Sequence, residues 1–298
     1  MATGIGTQTD PYIVSSWADF KTAIAASGAY VVMNPDATTK VIELNGSDTN
    51  PVTDRLDFNC ASLEGNGWRI RNLYFSSTAD HLLNSDTGCN HEIKNLHFDN
   101  LVCNNGAKSL LCMPKSTLTA CSFTGVKYIA TGCYPIAAGS TSYSCTIKSC
   151  TFAMQQLGSG ILYGLATRCD FTDCNFFLDA AIAVESGRRL NAFSYCTLAD
   201  CLMRGSVAFS TTGSGASVYI TDGNKPMKNS FIGVDFSNAS DYTISLYPGS
   251  ASAATCVVSD LIGSGISCYN GTNVYLVTSE QGKSAAYLNS IGFPVTEV

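Results

Sequence analysis

The sequence predicts an all-β chain wound as a right-handed, single-stranded parallel β-helix with a short N-terminal capping helix. Three observations carry that expectation: a recurring six-residue pattern, the unequal spacing of its copies, and a composition rich in core material but poor in charge. The pattern reads apolar, any, Asn/Asp/Ser, Leu/Cys, any, large apolar. Its copies begin at Ile70, Ile93, Leu118, Ile147, Phe171 and Leu198, with weaker ones at Met227 and Val258. Helical repeats of the tetratricopeptide or ankyrin type keep a nearly constant length of about 33 or 34 residues. The spacing here varies, as a coil of short strands allows when its turns take insertions. Copies such as Ile147-Lys148-Ser149-Cys150-Thr151-Phe152 show period-two alternation, aromatics and Thr, so the unit is made of strands.

Hydrophobic residues make up 45% of the chain and charged residues 13%, which is the opposite of a disordered composition. A solenoid buries each repeat against its neighbours, so 298 residues are expected to form a single domain. Residues 1–30 are the lead-in and cap, 31–278 the rungs, and 279–298 a C-terminal cap and tail. Gly6–Val14 reads as extended. Ser15 or Ser16 then opens a helix in which Trp17, Phe20, Ala23 and Ile24 fall on one face, suited to covering the open end of the first rung. Val31–Met33, Val41–Leu44 and Leu56–Phe58 supply the opening strands, Val274–Val277 the last, and Ser284–Gly292 a short closing helix.

Within a copy the first, fourth and sixth residues face inward. A step of three breaks strict alternation, so the chain must bend at the third residue, where Asn or Asp tolerates a left-handed backbone. Asn72, Asn95, Ser149, Asp173, Asp200, Asn229 and Asp260 are therefore expected to stack as one corner ladder, about 4.8 Å apart. The fourteen cysteines include the recurrent pairs Cys145/Cys150, Cys169/Cys174 and Cys196/Cys201. Cys145, Cys169, Cys196 and Cys256 each stand two residues before a copy and form a second inward column. No Cys-x-x-Cys occurs and only three histidines are present, which argues against zinc. The thiols are expected to be free, buried and reduced, because in-line side chains on parallel strands suit the disulfide torsion poorly.

A net charge of −6 and a pI near 5.0 exclude the basic patch that nucleic acid would need. No apolar run is long enough to span a membrane, and the first residues lack a signal-peptide pattern, so membrane insertion is not expected and synthesis in a cytosol is. The acceptor triplets at Asn45, Asn238 and Asn270 then read as turns.

The stretch Ser62-Leu63-Glu64-Gly65-Asn66-Gly67-Trp68-Arg69-Ile70-Arg71-Asn72-Leu73 resembles an opening rung of the pectin-lyase-like β-helix superfamily. More narrowly, Gly6–Val14 with Trp17 and Phe20, and the ending Ala286–Pro294, are similar to β-helix proteins of bacteriophage and prophage particles. That resemblance implies a virion protein, made in the bacterial cytoplasm and assembling as a homotrimer with capsid or tail proteins. The helix starts soon after Met1, without the attachment domain of a tail fibre ahead of it. A non-enzymatic capsid decoration protein is therefore favoured over a tail fibre, tailspike or baseplate protein that binds or cleaves host-surface polysaccharide.

The motifs of the superfamily's enzymes are missing. There is no Asp cluster with an Arg base, and no Asn-Thr-Asp, Asp-Asp or Gly-His-Gly. No catalytic, cofactor-binding or metal residue is assigned. A tailspike carboxylate pair from separate rungs leaves no linear motif, and Asp173 with Asp200 is the tempting one, but both sit where the ladder calls for Asn or Asp. Glu185 beside Arg188 and Arg189 reads as a solvated ion pair. His91 and His97 read as outward-facing surface or interface residues, and Trp68, in the column later filled by Cys, as core.

Overall fold

Strand after strand, alternating apolar residues turn one face inward and pair with the same position one rung away. The computed structural model describes residues 2–76, 81–85, 90–104, 109–129, 134–138, 145–157, 165–178, 180–184, 189–191, 193–194, 196–199, 201–211, 217–219, 228–235, 244–246, 255–259, 266–268, 274–276, 281 and 284–290. Beyond Phe177 it describes side chains at only a few positions, among them Cys196 and Cys201. Among these residues the named strands pair only in parallel, in assemblies of 19, 6 and 4 strands. The chain is a parallel β-solenoid.

Two columns make the pattern physical. The first inward residue stacks as Val31, Leu63, Ile93, Leu118, Ile147 and Phe171, and backbone pairing carries the register on to Leu198. The sixth stacks as Ile42, Ile70, Phe98, Phe123, Phe152 and Phe176, and backbone pairing carries the register on through Met203, Phe231, Val258 and Leu276. In the latter, the rings of Phe98, Phe123, Phe152 and Phe176 lie nearly parallel, with successive centroids 5.3, 5.3 and 5.6 Å apart. Rung spacing sets that distance, and burial of each ring between its neighbours removes the cost of exposing it. The 6-stranded ladder, with Leu56, Leu83, Leu111 and Ala137 in register, adds another wall to the same core.

Of the expected corner residues, Asn95, Ser149 and Asp173 turn left-handed in one ladder, while Asn72 and Asn229 lie elsewhere. Asn95, Ala120, Ser149 and Asp173 have φ of 52°, 53°, 51° and 52°, and the corner continues at Asn66, φ 51°. Asn72 also has a left-handed φ, 54°, but it stacks in a second ladder with Asn100 and Gly125. The rungs that turn at Asn66, Asn95 and Ala120 thus bend a second time at a left-handed residue, Asn72, Asn100 and Gly125. The copy assigned to 70–75 is the second bend of its rung: Ile70 pairs with Phe98 and Tyr74 with Val102, while the partner of Ile93 is Leu63.

The two weak copies also move. Met203 pairs with Phe231 and Cys201 with Asn229, so the seventh copy runs one residue earlier than assigned and Asn229 takes the Cys position rather than the corner. Val258 pairs with Phe231, placing it sixth rather than first, and Cys256 pairs with Asn229 rather than extending the Cys145 column. Asp200, Met227 and Asp260–Gly263 lie outside the described residues.

The N-terminal helix spans Trp17–Ala25 as expected. Ser16 caps it, its Oγ accepting from Asp19 N at 3.2 Å and donating to Asp19 Oδ2 at 2.8 Å. Phe20, Ala23 and Ile24 are buried, and Phe20 meets Phe58 edge to face. Asn59 N and Cys60 N both donate to Ile24 O, so the first rung satisfies a carbonyl at the helix end and ties the cap down. A second helix spans Ala285–Ser290, with Ser284 Oγ accepting from Tyr287 N at 3.2 Å. The remainder of the expected segment, Ile291 and Gly292, lies outside the described residues.

None of the ten cysteines whose side chains are described is in a disulfide, and all but Cys112 are buried. Their role is more specific than filling space. Cys121, Cys150 and Cys174 each follow a left-handed residue and donate Sγ–H to the carbonyl two residues back, at 3.5, 3.2 and 3.3 Å. Cys169, following the left-handed Arg168, does the same to Thr167 O at 3.2 Å. Lys148 O and Thr172 O also accept from Ala120 N and Ser149 N of the adjacent rung, at 3.0 and 2.9 Å, so the thiol is a second, weak donor to the carbonyl at the bend.

A polar groove at the second corner

The second bend creates the feature that carries the most unassigned chemistry. Strand Val41–Glu43 pairs with the end of strand Ser62–Arg71, which pairs with strand Glu92–Asp99. Just past these strands, three rungs contribute Leu44-Asn45-Gly46, Asn72-Leu73-Tyr74, and Asn100 with Val102 to an open groove of about 270 Å³. Gly46 makes the close approach possible, since a Cβ there would lie 2.5 Å from Tyr74 N and 2.6 Å from Asn72 O. Gly46 N donates to Asn72 O at 3.1 Å, and Asn50 Nδ2 donates to Asn45 O at 3.1 Å, closing the loop that follows.

The amides of this corner are chained. Asn100 Nδ2 donates to Asn72 Oδ1, and Asn72 Nδ2 donates to Glu43 Oε1. Tyr74 Oη accepts from Asn104 Nδ2 at 2.7 Å. Beside the groove, Arg69 Nη1 donates to both oxygens of Asp99, at 3.0 and 2.8 Å, and Thr124 Oγ1 donates to Oδ1 at 2.7 Å. Partial burial pushes the Asp99 carboxyl upward, but these hydrogen bonds outweigh it and hold the group below its ordinary value. Arg69, and Arg71 with its Nε 3.5 Å from Asp99 Oδ2, are thus engaged with a carboxylate of this same chain.

Other sequence candidates are structural. Asp173 occupies the first corner and accepts from Ser149 Oγ at 3.0 Å. Trp68 is 2% exposed, stacks on Leu96 below the cysteines, and donates Nε1–H to Asn34 O at 2.9 Å. His97 is half-buried and its Nδ1 lies 2.9 Å from Ser122 Oγ; burial first, then the nearby Arg69, lowers its pKa. His91 is a correction: it is 2% exposed, not outward. Two residues before inward Ile93 it shares that face, whereas the bend at Asn95 moves His97 to the other one. His91 Nδ1 lies 2.7 Å from Cys60 O, and because a carbonyl only accepts, Nδ1 carries the hydrogen.

Among the described residues no group of three or more His, Cys, Asp or Glu could hold a metal, and no helix is long and apolar enough to cross a membrane. Asp200, Glu185 and Arg188 lie outside the described residues, as do Asn238 and Asn270; Arg189 is described only as backbone, in strand Arg189–Asn191. Sequence reasoning missed the groove. Its signal was the second Asn-Leu pair in a rung, Asn100-Leu101 after Asn95-Leu96.

The chain matches no family model, no curated protein and no solved structure.

Proposed function

We propose that this protein is a non-enzymatic structural component of a bacteriophage particle, a decoration protein on the head surface that assembles as a homotrimer. The observation that carries this reading is the in-register column from Ile42 to Leu276. A solenoid stacked in that way is a stiff rod whose rungs support one another, and a particle surface needs such a rod. The likeness of Gly6–Val14 and Ala286–Pro294 to phage and prophage β-helices supplies the setting.

The test is immunogold labelling, with antiserum to the purified chain, of particles induced from the bacterium that carries the gene. Label over the heads is expected, together with a solution mass three times the 31.5 kDa of one chain. Label confined to tails would move the protein to a tail accessory role, and unlabelled particles would overturn the virion assignment. Incubation with host-surface polysaccharide is expected to release no new reducing ends or unsaturated products. Reproducible cleavage would overturn the non-enzymatic reading.

A further inference from the structure

We infer that the cysteine columns of the core bind a soft monovalent cation of the copper(I) class, one ion in line between the thiols of Cys121 and Cys150 and another between those of Cys169 and Cys196. Strand register sets one thiol beside the next. Thr119 and Ser122 pair with Lys148 and Thr151 on either side of the first two cysteines, and Asp170 pairs with Thr197 next to the other two. Within each pair the thiols are hydrogen-bonded to each other. A metal–thiolate bond of roughly 2.3 Å, doubled in a straight line, spans about 4.6 Å, close to the rung spacing of about 4.8 Å. Two facing sulfurs suit a linear two-coordinate ion, and thiolates select copper(I). Zinc, the other ion that thiolates favour, asks for four ligands in a tetrahedron. These thiols stand in lines rather than around a point, in keeping with the lack of any three-ligand group among the described residues.

Neither the bend nor the core demands cysteine here. Leu96 follows the left-handed Asn95 in the same column and is fully buried there, whereas Cys121, Cys150 and Cys174 succeed one another on the next three rungs. The surroundings also suit a thiolate. Cys121 N donates to Cys150 Sγ at 3.4 Å, so a backbone N–H holds that sulfur once its proton has left. Lys148 O, to which the Cys150 thiol donates, keeps its bond from Ala120 N at 3.0 Å and is not orphaned by the exchange. At each pair two S–H bonds give way to two S–Cu bonds, two protons leave to water, and the copper stays in its reduced state.

The experiment is an anaerobic titration of the reduced, full-length chain with copper(I) in acetonitrile against the chelator bicinchoninate, followed by X-ray absorption at the copper edge. Because the thiols are buried, uptake is expected over hours, through local opening, rather than on mixing. One copper per pair is expected, each with two sulfurs at roughly 2.3 Å and no third ligand. Cys150→Ser, which keeps the shape and the donor to Lys148 O, is expected to lose one of the two coppers. Cys150→Ala repeats the test if the serine variant fails to fold. Cys60→Ala, which removes a buried thiol outside both pairs, is expected to keep both coppers. Absence of uptake, three-coordinate copper, uptake undiminished in the Cys150 variants, or an equal loss in Cys60→Ala would each overturn the inference. None of these outcomes bears on particle labelling, so this site and the virion role stand or fall separately.

Discussion

The first corner of successive rungs turns at a residue with positive φ, at Asn95, Ala120, Ser149 and Asp173, so several residue types do the same task. Asn95 suits it best: Asn tolerates the left-handed backbone, and Nδ2 donates to Glu64 Oε1 on the neighbouring rung at 2.9 Å. Asn95→Val should combine backbone strain with a lost hydrogen bond, for a loss on the order of 2 to 3 kcal/mol. Asn95→Gly should cost less, because it restores the bend but not the bond. Ala120, at φ 53°, has neither advantage. Ala120→Asn should therefore stabilise, by about 0.5 to 1 kcal/mol. Urea melts of the three variants beside the wild type measure this, and equal effects of Val and Gly at 95 would deny the bend its energetic role.

Columns of thiols act at the scale of the element: Cys121, Cys150 and Cys174 each follow a bend, and Cys145 pairs in register with Cys169. Burial raises Cys60 from 9.0 to about 12 and also pushes Cys145 up. A hydrogen bond with Cys196 and then burial push Cys169 the same way. For Cys60 the sign follows directly. Between about 9 and 12 the unfolded chain has released a proton that the folded chain keeps, so this stabilisation is full below about 9 and lost as pH rises toward 12. Under reducing conditions the melting temperature should fall from about pH 8 to about pH 11, and Cys60→Ala should reduce the slope. A slope unchanged in that variant would show that Cys60 does not contribute. Native alkylation should modify few of the fourteen cysteines, and denaturation should expose nearly all of them. A defined set of disulfides would contradict the reduced, buried columns.

Across the whole molecule, stability passes from rung to rung, and the aromatic column is the continuous path. Phe123 lies between Phe98 and Phe152 at 5.3 Å from each, fully buried. Phe123→Ala should cost about 3 to 5 kcal/mol through lost burial and the cavity left behind. Because a solenoid unit contacts chiefly its neighbours, that loss should also uncouple the rungs on either side. Trp17 and Trp68 are the only tryptophans and precede the break, so their fluorescence reports the N-terminal rungs while far-UV circular dichroism reports the entire chain. The two transitions should coincide in the wild type and separate in Phe123→Ala; coincidence in both would show that cooperativity does not run through this column.

Residues close together in the chain were enough to determine the strand character, the varied repeat, the capped helix at Trp17–Ala25 and the burial of the cysteines, because each follows from local alternation, capping or polarity. Tertiary structure alone decided the register. A left-handed Asn inverts alternation in the same way at either corner, so Ile70–Phe75 fits the pattern of Ile93–Phe98 although Leu63 is the residue that lies beside Ile93. Only pairing between rungs tells the two bends apart. The same holds for the groove, where Asn45, Asn72 and Asn100 are far apart in the chain and become neighbours because winding brings each next rung within hydrogen-bonding reach of the last.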